Sequence, residues 1–150
     1  MPLIRSIVAS LTLTCSVSLA SIEDLEQRFY SEDAFTRISE YFNGQEISGN
    51  RTILRTNPAS RTGHYITFLL SARYDIGHFK LDVYEPGSPT AKEYIFKPNA
   101  PVDPTQPVYL GLTGDKWLEK ANPPVAYKLS LIGKNGDVLQ SASSFLWGDD

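Results

Sequence analysis

The sequence predicts a mainly β protein, an immunoglobulin-like antiparallel β-sandwich of about seven strands behind an N-terminal helical segment. Three observations predict it. From Arg51 onward, short runs show apolar residues with a period of two or nearly continuously, the signatures of half-buried and fully buried strands. Turn signals (Asn57-Pro58, Thr62-Gly63, Pro86-Gly87, Thr113-Gly114, Asn135-Gly136) divide these runs at the spacing of a sandwich. No helical pattern falls between successive strands, so βαβ units and a parallel sheet are not expected.

Taken in order, residues 21–44 read as the helical segment. Ser21 is a helix-capping residue type, and Glu23 and Asp24 follow where carboxylates favour the positive end of a helix. Ile22, Leu25 and Phe29 are spaced three and four apart; Ser31, Glu32 and Asp33 repeat the start signal, and Phe35, Ile38 and Phe42 continue the spacing. Asn43-Gly44 supplies the stop.

Residues 45–150 read as the sandwich. Strands are expected at 51–56, at 64–73, at 79–84, at 93–97, at 108–112, at 127–131 and at 138–147. The near-continuous apolar run Tyr65, Ile66, Phe68, Leu69, Leu70 predicts a central strand covered on both faces, whereas Phe79, Leu81 and Val83 alternate with Lys80, Asp82 and Tyr84 as in a half-buried strand. Pro98, Pro101, Pro104 and Pro107 exclude their segment from a central ladder, because proline lacks the N–H, and make it a loop or crossover. Asn135-Gly136 predicts a tight hairpin with positive φ at both positions. In the last strand, Leu139, Phe145 and Trp147 are expected on one face, with Trp147 in the core.

Residues 1–20 read as a secretory signal peptide. Arg5 precedes an apolar run through Ile7, Val8, Leu11 and Leu13, and Ser18-Leu19-Ala20 suits signal peptidase. The run is shorter than the ~20 residues of an ordinary membrane-spanning helix. Cleavage would remove Cys15, the single cysteine, leaving an export product that relies on packing instead of disulfides. It would also remove Arg5 from the 14 basic residues and leave all 17 acidic ones, a net charge of about −4. That balance argues against nucleic acid, which needs clustered Lys and Arg. No second long apolar stretch suggests a membrane span. The expected location is therefore secreted, periplasmic or at the cell surface.

Few residues carry a chemical signature. His64 and His78 lack further ligands at metal-binding spacing, no Gly-x-Ser-x-Gly elbow occurs, and the acidic pairs Glu23-Asp24 and Glu32-Asp33 fit helix starts. No cofactor, metal or catalytic residue is implied. Asn50-Arg51-Thr52 matches a glycosylation acceptor, which has meaning only in a eukaryotic secretory pathway. Two sets of binding residues remain. Arg51, Arg55 and Arg61, with Arg73, form a basic stretch in an acidic chain, and Arg51 and Arg55 share a strand face. They make either a docking patch for an acidic partner or polysaccharide, or a solvated face with local ion pairs; the second is the default. Trp117 sits in an irregular stretch and is the candidate for stacking on a sugar ring.

The runs Arg55-Thr56-Asn57-Pro58-Ala59-Ser60-Arg61-Thr62-Gly63 and Tyr109-Leu110-Gly111-Leu112-Thr113-Gly114-Asp115-Lys116-Trp117, with the ending Ser144-Phe145-Leu146-Trp147, resemble a family of small exported bacterial proteins. That family has an immunoglobulin-like sandwich, is poorly characterised, and is sometimes encoded beside type IV pilus or secretin components. The resemblance implies a periplasmic or surface role with a pilus or envelope protein as partner, and it offers no catalytic residues. The charged segment Ser21-Ile22-Glu23-Asp24 differs from the long apolar helix of a filament-forming pilin and favours an accessory part. The expected function is thus an exported, non-enzymatic interaction or structural module, with a carbohydrate-binding domain as the alternative.

Overall fold

The strand rich in consecutive apolar residues organises the molecule. In the computed structural model, which describes residues 21–36, 49 and 51–148, the elements are β1 (Ile22–Tyr30), β2 (Thr52–Arg55), β3 (Gly63–Leu70), β4 (Ile76–Tyr84), β5 (Ala91–Phe96), β6 (Val108–Thr113), β7 (Ala126–Gly133) and β8 (Val138–Ser143). They form two four-stranded sheets, in the orders β1-β3-β6-β2 and β5-β4-β7-β8. The predicted signal at 1–20, and Ile38 and Phe42 of the predicted helix, lie outside the described residues.

The core lies between the sheets. Ile66, Phe68 and Leu70 of β3 and Val108, Leu110 and Leu112 of β6 meet Phe79, Leu81 and Val83 of β4 and Leu129 and Leu131 of β7. Phe68 and Phe79 touch edge to face at 5.6 Å. These positions alternate with outward-facing ones because successive strand residues point to opposite faces. Such burial of aromatic and aliphatic side chains is what stabilises a chain without cross-links.

The helical segment is corrected. Residues 22–30 form edge strand β1, antiparallel to β3, and only Glu32–Ala34 makes a short 3₁₀ turn. The three-and-four spacing comes from a β-bulge. Glu23 pairs Leu69 and Glu26 pairs Thr67, so Asp24 and Leu25 together oppose one residue. Asp24 adopts φ 52°. The extra residue returns Leu25 and Phe29 to the face already used by Ile22, as a helix would. Backbone bonds to β3 supply what no local pattern reveals. Joining β1 raises the strand number from the expected seven to eight.

Three further differences concern ladders and turns. The sheets are not wholly antiparallel, since β2 runs parallel to β6 from Thr52↔Val108 to Arg55↔Gly111. Between them the chain visits the other sheet through β4 and β5, which stands in for the helix of a parallel crossover. The Asn135-Gly136 hairpin exists, but only Gly136 has positive φ (89°). Its N–H donates to Gly133 O at 3.0 Å, and Gly133 N–H donates to Asp137 O at 2.8 Å. This is the three-residue loop with a left-handed glycine, not the two-residue primed turn. Finally, β8 ends at Ser143 and a 3₁₀ turn, Phe145–Trp147, follows. Phe145 is 99% exposed and Trp147 is only half-buried, against the Tyr84 ring at 5.2 Å. Neither joins the core, because the turn at Ser144 carries them past the sheet.

Candidate functional site

The predicted arginines lie on and beside the outer face of the first sheet. Tyr65 points outward from β3, yet is fully buried. Its ring lies over Gly111, where a Cβ would come within 2.5 Å of ring carbon Cε1. Phe35 tilts against it at 4.9 Å, and Tyr30 and Tyr109 meet it edge to face at 5.6 and 6.5 Å. Arg55 closes this aromatic group. Its guanidinium stands 4.8 Å from the Phe35 centroid and 5.8 Å from that of Tyr65. Arg55 Nε donates to the Tyr65 hydroxyl at 2.6 Å, and that hydroxyl donates to the Arg61 carbonyl at 2.5 Å. Arg55 is therefore engaged in covering the sheet, and Arg61 contributes its backbone carbonyl.

Arg51 does something different. It lies over Tyr109 at 5.7 Å and also lines a groove of about 480 Å³ between β2 and the proline-rich crossover. Arg73, Ile53, Asn99, Pro101 and Asp103 are among the other residues lining the groove. Arg51 and Arg73, from opposite ends of the basic stretch, are thus brought to one opening. Asp103 adds one carboxylate, kept ionised below its ordinary range by hydrogen bonds from the Thr105 hydroxyl and backbone N–H and by the Arg73 charge. Thr56 N–H donates to Gly111 O at 2.9 Å. Backbone groups alternate in direction along a strand, so Thr52 and Leu54 also face β6 while Ile53 turns its N–H and C=O away from it. Beside β2 no further strand lies among the described residues.

Trp117 is not accessible. It is 3% exposed and packs in the core at one end of the sandwich, so it offers no face to a sugar. His64, itself fully buried, holds that end together. Gln27 Nε2 donates to His64 Nδ1 at 2.9 Å, and His64 Nε2 donates to the Glu119 carbonyl at 2.8 Å, an assignment set by the carbonyl's need for a donor. Above Trp117, Glu85 accepts from the Tyr94 hydroxyl at 2.5 Å and pairs with Lys116. Burial pushes the Glu85 carboxyl up, but the hydrogen bonds from Lys116 and Tyr94 and the charges of Lys116 and Lys92 outweigh it and leave the pKa lowered. Burial first, then the bond to Glu85, drives the Tyr94 hydroxyl well above its usual range. The sequence singled out none of Glu85, Tyr94 or Lys116 as a group, because they come from three separate elements.

Among the described residues, no three His, Cys, Asp or Glu side chains gather as metal ligands, and no helix is long and apolar enough to cross a membrane. Compared with known proteins, the chain matches no family model, no curated protein and no solved structure.

Proposed function

We propose that the protein is an exported, non-enzymatic interaction module whose docking site is the groove along β2. The observation that carries this reading is the coincidence, in one opening, of an edge strand with outward backbone groups and two arginines from distant parts of the chain. An exposed strand edge recognises an extended peptide through main-chain hydrogen bonds, and neighbouring pockets select its side chains. The arginines favour a peptide with acidic side chains. A glycan is the weaker ligand, because the tryptophan on which it would stack lies in the core. On the family resemblance, the partner belongs to a pilus-like or secretion assembly at the cell envelope. In this reading the sandwich is immunoglobulin-like, which the passage of the chain from β3 to β4, β5 to β6 and β6 to β7 between sheets favours.

The test uses a photo-crosslinking amino acid in place of Asn99 in the full chain, expressed in its native host. We expect one discrete protein adduct, identified by mass spectrometry, that disappears in the Arg51→Glu/Arg73→Glu double variant. No adduct at Asn99, or an adduct unchanged by the double variant, would overturn the proposal.

A further inference from the structure

The four sheet edges are not protected alike. β1 carries Glu23, Glu26 and Arg28 and is bent by the bulge at Asp24. β5 carries Lys92 and Glu93 and runs into Lys97-Pro98. Charges and bulges of this kind are ordinary devices that stop a strand edge from pairing with another molecule. β2 is the edge that borders the groove. β8 lacks the charges altogether. From Val138 to Gly148 the chain reads VLQSASSFLWG, without an ionisable side chain. A bulge at its start leaves a regular edge from Gln140 to Ser143.

The direction of that edge follows from the ladder. Ser144 N–H donates to Tyr127 O at 2.9 Å, which continues the register Lys128↔Ser143 and Leu129↔Ala142. Ala142 and Gln140 therefore turn their N–H and C=O groups to β7, and Ser141 and Ser143 turn theirs away from it. Exposed apolar side chains flank this edge on both sides. Val138 is 63% exposed, Phe145 99% and Leu146 68%. Surface that apolar and uncharged marks contact with another molecule.

We propose that β8 pairs with β8 of a second copy, antiparallel about a two-fold axis at Ala142. Ser141 then faces Ser143 of the second copy, and the two exchange backbone hydrogen bonds in both directions. The two four-stranded sheets then become one continuous sheet. A second copy fits this edge better than an unrelated peptide for a reason of charge. An uncharged strand opposes itself without placing like charges face to face, and an isologous contact needs only one surface. The contact lies on a different edge from the β2 groove, so both can be occupied together.

The test is the mass of the full chain in solution by sedimentation equilibrium. Proline is tolerated where a strand N–H points outward, so Ser141→Pro removes the intermolecular donor and leaves the bonds to β7. Ser141→Lys places two like charges at the two-fold contact without touching the backbone. We expect a dimer for the native chain, and in both variants a dimer Kd raised by at least ~10-fold, with the melting temperature unchanged when it is read at a concentration where the native chain is monomeric. Should Ser141→Pro fail to fold, Ser141→Lys decides alone. A native chain that stays monomeric at about 1 mM, or a Ser141→Lys variant that dimerises as the native chain does, would overturn the proposal. The Arg51→Glu/Arg73→Glu variant is expected to remain dimeric, which separates a failure here from a failure of the groove.

Discussion

β3 and β4 are both interior strands of four-stranded sheets, yet their outer faces are opposites. On β3, Tyr65 and Thr67 point away from the sandwich and are still buried, Tyr65 under Phe35, Tyr30, Tyr109 and Arg55. On β4, Lys80 and Asp82 point outward into solvent-facing ion pairs, Lys80 with Asp82 at 3.6 Å and with Glu93 at 3.7 Å. One sheet is covered twice and the other once. The difference teaches what Arg55 does on the first sheet: a guanidinium stacked on aromatic rings hides apolar surface with its planar face while its N–H groups keep hydrogen bonds.

The sharpest way to break this contrast is Tyr65→Ala. If the outer face of β3 is a second core, the variant loses about 3–5 kcal/mol in denaturant unfolding, as much as Phe79→Ala in the main core. A loss below about 1 kcal/mol would mean that the aromatic cover is surface decoration. Next comes Gly111→Ala. The new methyl collides with the Tyr65 ring, and overpacking of this kind costs about 1–3 kcal/mol. Made on top of Tyr65→Ala, the same change becomes nearly neutral, because the ring it meets is gone; additive effects in the double-mutant cycle would refute the contact.

Arg55→Met keeps most of the apolar stem and removes the charge over Phe35 and the bond to Tyr65. A loss of about 1–2 kcal/mol is expected, with little change when the salt concentration rises. Glu85 gives a smaller, pH-dependent effect at the end of β4. Its folded pKa lies below the unfolded one. Its contribution is therefore complete above the unfolded carboxylate value, about 4.3, and is lost as pH falls through the lower folded value. Glu85→Gln should lower stability at pH 7 by about 1 kcal/mol or less, since Lys116 is half exposed, and should flatten the drop in melting temperature below pH 4.3 or so. Smallest of all, Lys80→Ala on the bare face of β4 should shift stability by no more than about 0.5 kcal/mol.

The same contrast was readable in the residues. The nearly continuous apolar run at 65–70 predicted a strand covered on both faces, and the alternation at 79–84 predicted one covered face. The cover itself was not readable. Phe35 belonged to a pattern that looked helical, and only the bulge at Asp24 explains why strand residues imitate that spacing. Arg51 and Arg55 were picked out as a patch, but their division of labour depends on Phe35, Tyr109 and the crossover, which are distant in sequence. Trp117 was misjudged for a related reason. An irregular segment predicts exposure of its backbone, and says nothing about a large ring that swings under Lys116 and beside His64.

By itself, then, the order of apolar and polar residues determined that this chain makes two layers of β-structure, where most strands and turns fall, and that the segment with four prolines stays out of the ladder. Each of those features is enforced by neighbours within a few positions, through side-chain alternation and the missing proline N–H. Tertiary structure alone decided that residues 22–30 are a strand, that β2 runs parallel to β6, that the tryptophan is core, and which edges face outward. Those outcomes depend on hydrogen bonds and packing between residues far apart in the chain, and such pairings become defined only when the two sheets close on one another.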